Sequence, residues 1–273
     1  MCMTTLTQEV PVPVAPRRRL NIGGVWVDDC PLAEAVARCA GWLRRPAADA
    51  GRLAQVTTVN PEFVMTARRD PAFRAVLNRA ALATPDGAGI IAAAALLGRP
   101  LRGRTTGVAL SAHLMALAAR EGYRVFLLGA APGVAAEAAQ IWSARYPGLI
   151  VAGTHAGSPA LAEAAGITRA VTAARADLLF VAFGAPRQDL WIAAHAAELS
   201  TVRLAMGVGG VFDYVTGRVP LAPPLWRRLG LEWLYRLIRQ PWRWRRQLAL
   251  PHFVLLVLWQ RLTGGSGRVM SDA

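Results

Sequence analysis

Lysine is missing from all 273 residues, so the 31 basic side chains are arginines; 17 acids oppose them and leave a net charge of +14. Guanidinium forks match phosphate oxygens, so an anionic partner is expected, although genome composition also shapes such a bias. Cysteine is scarce: Cys2, Cys30 and Cys39 show no C-x-x-C spacing and no histidines cluster near them. A zinc site and a disulfide framework are thereby excluded, and a reducing compartment fits. No D-x-D pair is present to hold Mg²⁺ or Mn²⁺ against a diphosphate, so no metal and no cofactor is expected. The G-x-G-x-x-G fingerprint is absent as well, which argues against a nucleotide-dependent oxidoreductase. His113, His155, His195 and His252 are scattered and receive no role.

Long apolar runs are lacking too. Residues 1–20 carry Pro11, Pro13, Pro16 and Arg17-Arg18-Arg19 without the apolar core of a signal peptide, and read as a flexible leader. The longest apolar run near the C-terminus, Leu248 to Trp259, is interrupted by Pro251 and His252 and falls short of the roughly 20 residues that span a bilayer. The expected location is cytoplasmic, peripheral on the inner face of the cell membrane.

What is present is a chain 54% hydrophobic, long enough to bury one sizeable core. Short apolar runs predict strands at Gly24–Val27, Leu53–Thr57, Ala81–Thr84, Arg124–Leu128, Leu149–Ala152, Leu178–Ala182 and Val202–Met206. Alanine-rich segments of helical period predict helices at Pro31–Leu43, Pro61–Leu77, Asp86–Leu97, Gly107–Glu121, Gly133–Arg145, Leu161–Ala174 and Pro186–Leu199. This alternation predicts an α/β fold with a mostly parallel, Rossmann-like sheet and helices on both faces. The expected division is 1–20 leader, 21–217 α/β domain, 218–262 helical appendage and 263–273 flexible tail.

In such a sheet, ligands collect beyond the carboxyl ends of the strands. Five segments should meet there: Thr58-Val-Asn60, Pro85-Asp86-Gly87, Gly129 to Gly133, Gly184 to Gln188 and Gly207 to Gly210. Asp86 is the one acid placed squarely on that rim, with Asp189 at its edge. Pro85 and Gly87 hold Asp86 on a turn, where it either caps the helix beginning at Ala88 or acts in catalysis. Thr58, Asn60 and Gln188 are open to the same two readings, as strand-end and cap residues or as ligand contacts. Gly129 and Gly133 flank a strand-to-helix turn that either cradles a diphosphate or is a plain tight turn. Gly207-Val-Gly-Gly-Val-Phe leads into no evident helix.

The segment from Arg218 to Arg261 differs from the rest, holding nine arginines, five tryptophans and a single acid, Glu232. Trp226, Leu229, Trp233, Leu237, Trp244 and Leu248 recur at helical spacing with arginines on another side, and Pro241 interrupts the phase. A polybasic, tryptophan-rich helix suits an anionic membrane surface, while the plain alternative is a hairpin packed on the domain. A basic nucleic-acid-binding protein without catalysis is the reading from another class, disfavoured because the arginines cluster with apolar residues in one terminal segment instead of lining a groove.

The blocks TVN (58–60), TPDG (84–87), RTTG (104–107), LLGAAPG (127–133), FGAPRQDLW (183–191), GVGGVFDYVTG (207–217) and GLEWLYRLIRQPWRWRR (230–246) resemble, in order, the WecG/TagA/CpsF family of bacterial glycosyltransferases, over about Leu20 to Leu262. The resemblance implies inverting transfer of a sugar, typically N-acetylmannosamine, from a UDP-sugar donor to undecaprenyl-diphosphate-linked N-acetylglucosamine, for teichoic acid linkage units or exopolysaccharide. A different UDP-hexose or lipid-linked acceptor is the alternative within the family. It implies Asp86 as general base, with Thr58, Asn60, Arg104 and Gln188 lining the site and Arg236, Arg243 and Arg246 reaching the diphosphate. Glycines at 129, 133, 184, 207 and 209 are candidates for nucleotide and diphosphate loops. The implied partners are the sugar donor, the polyprenyl-linked acceptor and the anionic inner leaflet, with no nucleic acid and with a homo-oligomer left open. Two departures stand out: Ala109 replaces the usual acid, which bears on sugar specificity, and Asp189 replaces the usual Glu.

Overall fold

Strands buried on both faces read as unbroken apolar runs, as residues 125–128 and Leu178–Ala182 do in the central sheet. A computed structural model of the chain describes residues 16–45, 53–241, 244–263 and 269–271. Six parallel strands form the sheet: β3 (Ala54–Val59), β4 (Leu82–Pro85), β5 (Arg124–Gly129), β6 (Ile150–His155), β7 (Leu178–Ala182) and β8 (Leu204–Gly207), in the order β4-β3-β8-β7-β5-β6. The predicted strand at Gly24–Val27 is real but lies elsewhere. It is β2 (Val25–Asp28), paired antiparallel with β1 (Arg18–Ile22), and β1 in turn pairs with β9 (Val269–Ser271). β1 and β9 draw on stretches read as leader and tail, Arg18 to Leu20 and 263–273. β1 opens on two arginines and β9 has only three residues, so neither signals a strand before pairing supplies the partner.

Period-two alternation distributes the core. Val125 and Leu127 of β5 face one layer, Phe126 and Leu128 the other; Leu178 and Phe180 of β7 oppose Leu179 and Val181 in the same way. One layer holds α1 (Leu32–Leu43), α5 (Gly107–Glu121), α6 (Val134–Arg145) and α9 (Val211–Val215). The other holds α2 (Pro61–Arg69), α3 (Pro71–Arg79), α4 (Ala88–Leu96), α7 (Leu161–Ala173) and α8 (Arg187–Ala194). The segment predicted as one helix from Pro61 to Leu77 is two, because Pro71 cannot continue a ladder. Asp70 turns extended (φ −124°, ψ 96°) and caps α3 through the Phe73 N–H at 3.0 Å. The five-residue α9 after the Gly207 loop is a further correction, its amphipathic signal being too short to stand out.

Chain order sets where a cleft can open. β5 leaves through α6 toward β6, while β7 leaves through α8 toward β8, so the connections diverge between β5 and β7 and create a switch point on the carboxyl rim.

The C-terminal segment forms α10 (Pro224–Arg228), α11 (Glu232–Arg239), α12 (Trp244–Gln247) and α13 (Ala249–Leu262). α13 docks on α2 and α4, burying Phe253, Leu256 and Val257 in the same core as β1 and β2. Gln260 pins it to the β1–β2 turn: its Oε1 accepts from the Gly23 N–H, and its Nε2 donates to the Asn21 carbonyl, both at 2.9 Å. The predicted apolar stripe is largely turned outward, with Leu229, Trp233, Trp244 and Leu248 exposed and Trp226 half-buried. Among the described residues, no helix is long and apolar enough to cross a membrane.

Candidate functional site

Asp86 follows β4, its backbone N–H donating to the Val59 carbonyl at 2.8 Å, which ties the turn to the end of β3. The N-cap of α4 is Gly87, which has no side chain to offer, so Asp86 is not the cap residue of that helix. Instead Oδ2 accepts from the Gly107 N–H at 3.1 Å, the first residue of α5. Asp86 thus holds the start of α5, where the positive end of a 15-residue helix faces the carboxylate. Thr58 points to the same helix start: a Cβ on Gly107 would sit 3.5 Å from its side chain and 3.7 Å from Asp86 Oδ2. Asp86, Thr58 and the opening of α5 are therefore one cluster.

The loop that delivers α5 is strongly anchored. The Arg102 N–H donates to Asp29 Oδ1 at 2.7 Å, and its guanidinium reaches Asp29 Oδ2 at 3.1 Å and Glu34 at 2.9 Å. Thr105 donates from its hydroxyl to the Cys30 carbonyl and from its N–H to the Pro85 carbonyl, both at 2.9 Å. Arg104, between these anchors, projects to Glu232 of α11, Nη2 to Oε1 3.2 Å. Sequence reasoning named neither Asp29 nor Glu34, because their contribution depends on tertiary contact with a loop about 70 residues away. Thr106 caps α5 through the Ala109 N–H at 3.2 Å, so Ala109 stands in the first turn of the helix that holds Asp86.

A second cluster lies across the rim. Gln188, 2% exposed, accepts from the Gly209 N–H through Oε1 at 2.9 Å, joining the loops after β7 and β8. A Cβ on Gly207 would sit 2.6 Å from Gln188 Nε2 and 2.8 Å from Asp189 Oδ1, so only glycine admits both side chains beneath β8. Gly184 precedes the cis Ala185–Pro186 bond that opens α8, while Gly129 ends β5 and Gly133 is the N-cap of α6, with no side chain closing that N-terminus. Asn60 caps α2, Oδ1 accepting from the Phe63 N–H at 3.0 Å, and keeps two amide donors for other partners. Of the appendage residues, Arg236 stands in α11 and Arg246 in α12, while Arg243 lies outside the described residues.

Asp189 departs most from its sequence reading as a minor edge residue. It is wholly buried, and among the described residues neither carboxylate oxygen completes a hydrogen bond. Burial pushes its pKa up from 3.8 to about 7, outweighing the nearby Gln188 amide, which favours the ionised form without reaching hydrogen-bond geometry. The folded chain thus keeps a proton that the unfolded chain gives up, so stability is lost as pH rises from 3.8 to about 7 and stays level above. Asp189→Asn removes this dependence. Urea midpoints should show the variant gaining on the parent between pH 4.5 and pH 8, by on the order of a few kcal/mol. Parallel pH profiles would refute the assignment.

Among the described residues, no three His, Cys, Asp or Glu side chains converge where an ion could be held. The profile of the Glycosyl transferase WecG/TagA/CpsF family matches residues 20–267. A protein of Bacillus spizizenii strain W23, named N-acetylglucosaminyldiphosphoundecaprenol N-acetyl-beta-D-mannosaminyltransferase, is 36% identical over 210 residues, covering 77% of this chain and 80% of that protein. A protein of the same name from Bacillus subtilis strain 168 is 34% identical over 205 residues, 75% of this chain and 79% of the relative.

Proposed function

Because the chain belongs to the WecG/TagA/CpsF family of glycosyltransferases, we propose that it transfers N-acetylmannosamine from its UDP derivative to undecaprenyl-diphosphate-linked N-acetylglucosamine, with inversion. The observation that carries this reading is the Asp86 carboxylate, fixed by the first N–H of α5 on the carboxyl rim beside Thr58. Asp86 takes the proton from the acceptor hydroxyl as its oxygen bonds to the anomeric carbon. The bond from that carbon to the diphosphate oxygen breaks on the opposite side, and UDP departs with the electron pair. A positioned carboxylate supplies roughly 10²–10⁴-fold.

Charge developing on the leaving diphosphate needs donors already in place. Arg104, the loop amides around Gly129, Gly133, Gly184, Gly207 and Gly209, and Arg236, Arg243 and Arg246 fill this role, with Thr58, Asn60 and Gln188 lining the sugar. Arginine in place of a D-x-D-bound metal makes the reaction metal-independent. Transfer should proceed at the parent rate after dialysis against EDTA; loss of turnover with recovery on Mn²⁺ would overturn this part. The test of the whole is product formation from UDP-N-acetylmannosamine and a lipid-linked N-acetylglucosamine, run beside other UDP-hexoses because the family resemblance implies an acid at the position of Ala109.

The acceptor is a membrane lipid, and the tail suits a protein resting on the inner leaflet. Leu255, Trp259 and Leu262 face outward from α13, at 64%, 62% and 85% exposure. Arginines of the same segment attract anionic headgroups at about 1 kcal/mol each.

A further inference from the structure

The one acid between Arg218 and Arg261, Glu232, reaches out of its arginine-rich segment to Arg104 on the carboxyl rim. It accepts from Arg104 at 3.2 Å, with the two side chains 29% and 33% exposed, so solvent and solutes reach the pair. Two residues earlier, Gly230 (φ +72°) crosses the start of α4 so closely that a Cβ there would lie 2.6 Å from the Ala88 Cβ. The turn between α10 and α11 therefore rests against the Asp86-Gly87-Ala88 turn, and Glu232 reaches down to the loop that runs from Arg104 to Gly107, whose N–H holds Asp86.

We propose that Glu232 is an internal stand-in for the donor's diphosphate: its carboxylate occupies Arg104 while the nucleotide is absent and is displaced when UDP binds. The inference rests on the reading of Arg104 as a diphosphate contact. A diphosphate offers several anionic oxygens to the guanidinium fork where Glu232 offers one contact, so the nucleotide wins at modest concentration. Displacement breaks this one contact between α11 and the loop that bears Arg104. By linkage, a nucleotide that weakens the tail's hold is itself weakened by that hold, to the same factor.

The experiment is calorimetric titration of the full chain with UDP and with uridine, in low-salt buffer, for the parent, Glu232→Gln, Arg104→Gln and the double variant. Removing the competitor should tighten UDP binding about three- to fivefold, the range of a partly exposed ion pair, and leave uridine unchanged. Arg104→Gln should weaken UDP, and adding Glu232→Gln to it should recover nothing. If Glu232→Gln binds UDP no better than the parent while Arg104→Gln binds it worse, the stand-in is refuted and the diphosphate role of Arg104 survives. If Arg104→Gln binds UDP as tightly as the parent, that role falls and the stand-in with it. Equal gains for UDP and uridine would mean a general opening of the cleft, which also refutes the proposal.

Discussion

Asp86→Asn is expected to slow sugar transfer by about 10²–10⁴-fold while melting temperature and UDP affinity stay near the parent's. The geometry makes Asn the informative replacement. Asp86 Oδ2 accepts from the Gly107 N–H, and an amide oxygen accepts the same bond, weaker only by the lost charge, so the start of α5 keeps its partner. What Asn cannot do is take up the acceptor's proton. Ala would remove both properties and confound a positioning loss with a chemical one. Turnover with saturating donor and acceptor checks the prediction, and an Asn variant that transfers at the parent rate would end the assignment of Asp86 as base.

Replacing Leu255, Trp259 and Leu262 together by Gln should lower partition onto anionic vesicles by about 100-fold, taking about 1 kcal/mol for each partly inserted apolar side chain. All three project from the outer face of α13, opposite the buried Phe253, Leu256 and Val257, so the fold should persist. Deleting the segment after Thr216 would be a poorer test. It would strip those three core residues and both Gln260 bonds to the β1–β2 turn, so lost binding would have two causes. Co-sedimentation with vesicles of phosphatidylglycerol measures the effect. Partition equal to the parent's would refute membrane docking through this face, and transfer to a water-soluble short-chain acceptor should be largely retained.

The tail packs on the domain through α13 and turns apolar side chains outward elsewhere. Its periodic tryptophans and leucines are mostly exposed, as a surface-seeking helix requires, yet α13 is fixed on the domain through residues that the stripe did not include. Pro241 lies between α11 and α12, which is why one continuous helical phase across the segment does not exist.

Periodicity and punctuation in the chain were enough to declare the six parallel strands, most helix starts and the gathering of five loops on one rim, since each is set by a local pattern of apolar residues, glycine and proline. Position on the rim followed from chain direction alone: parallel strands necessarily send their carboxyl ends the same way. Contacts across long separations were not legible. That Asp86 accepts from the first N–H of α5, that Arg102 ties Asp29 and Glu34 to the loop bearing Arg104, and that Glu232 returns to that loop from 128 residues away all depend on which surfaces meet once the layers pack. Asp189 shows the reason most plainly. Its spacing marks it as a residue near the rim, but its proton affinity is set by the water it has lost, and desolvation belongs to the assembled core rather than to any stretch of sequence.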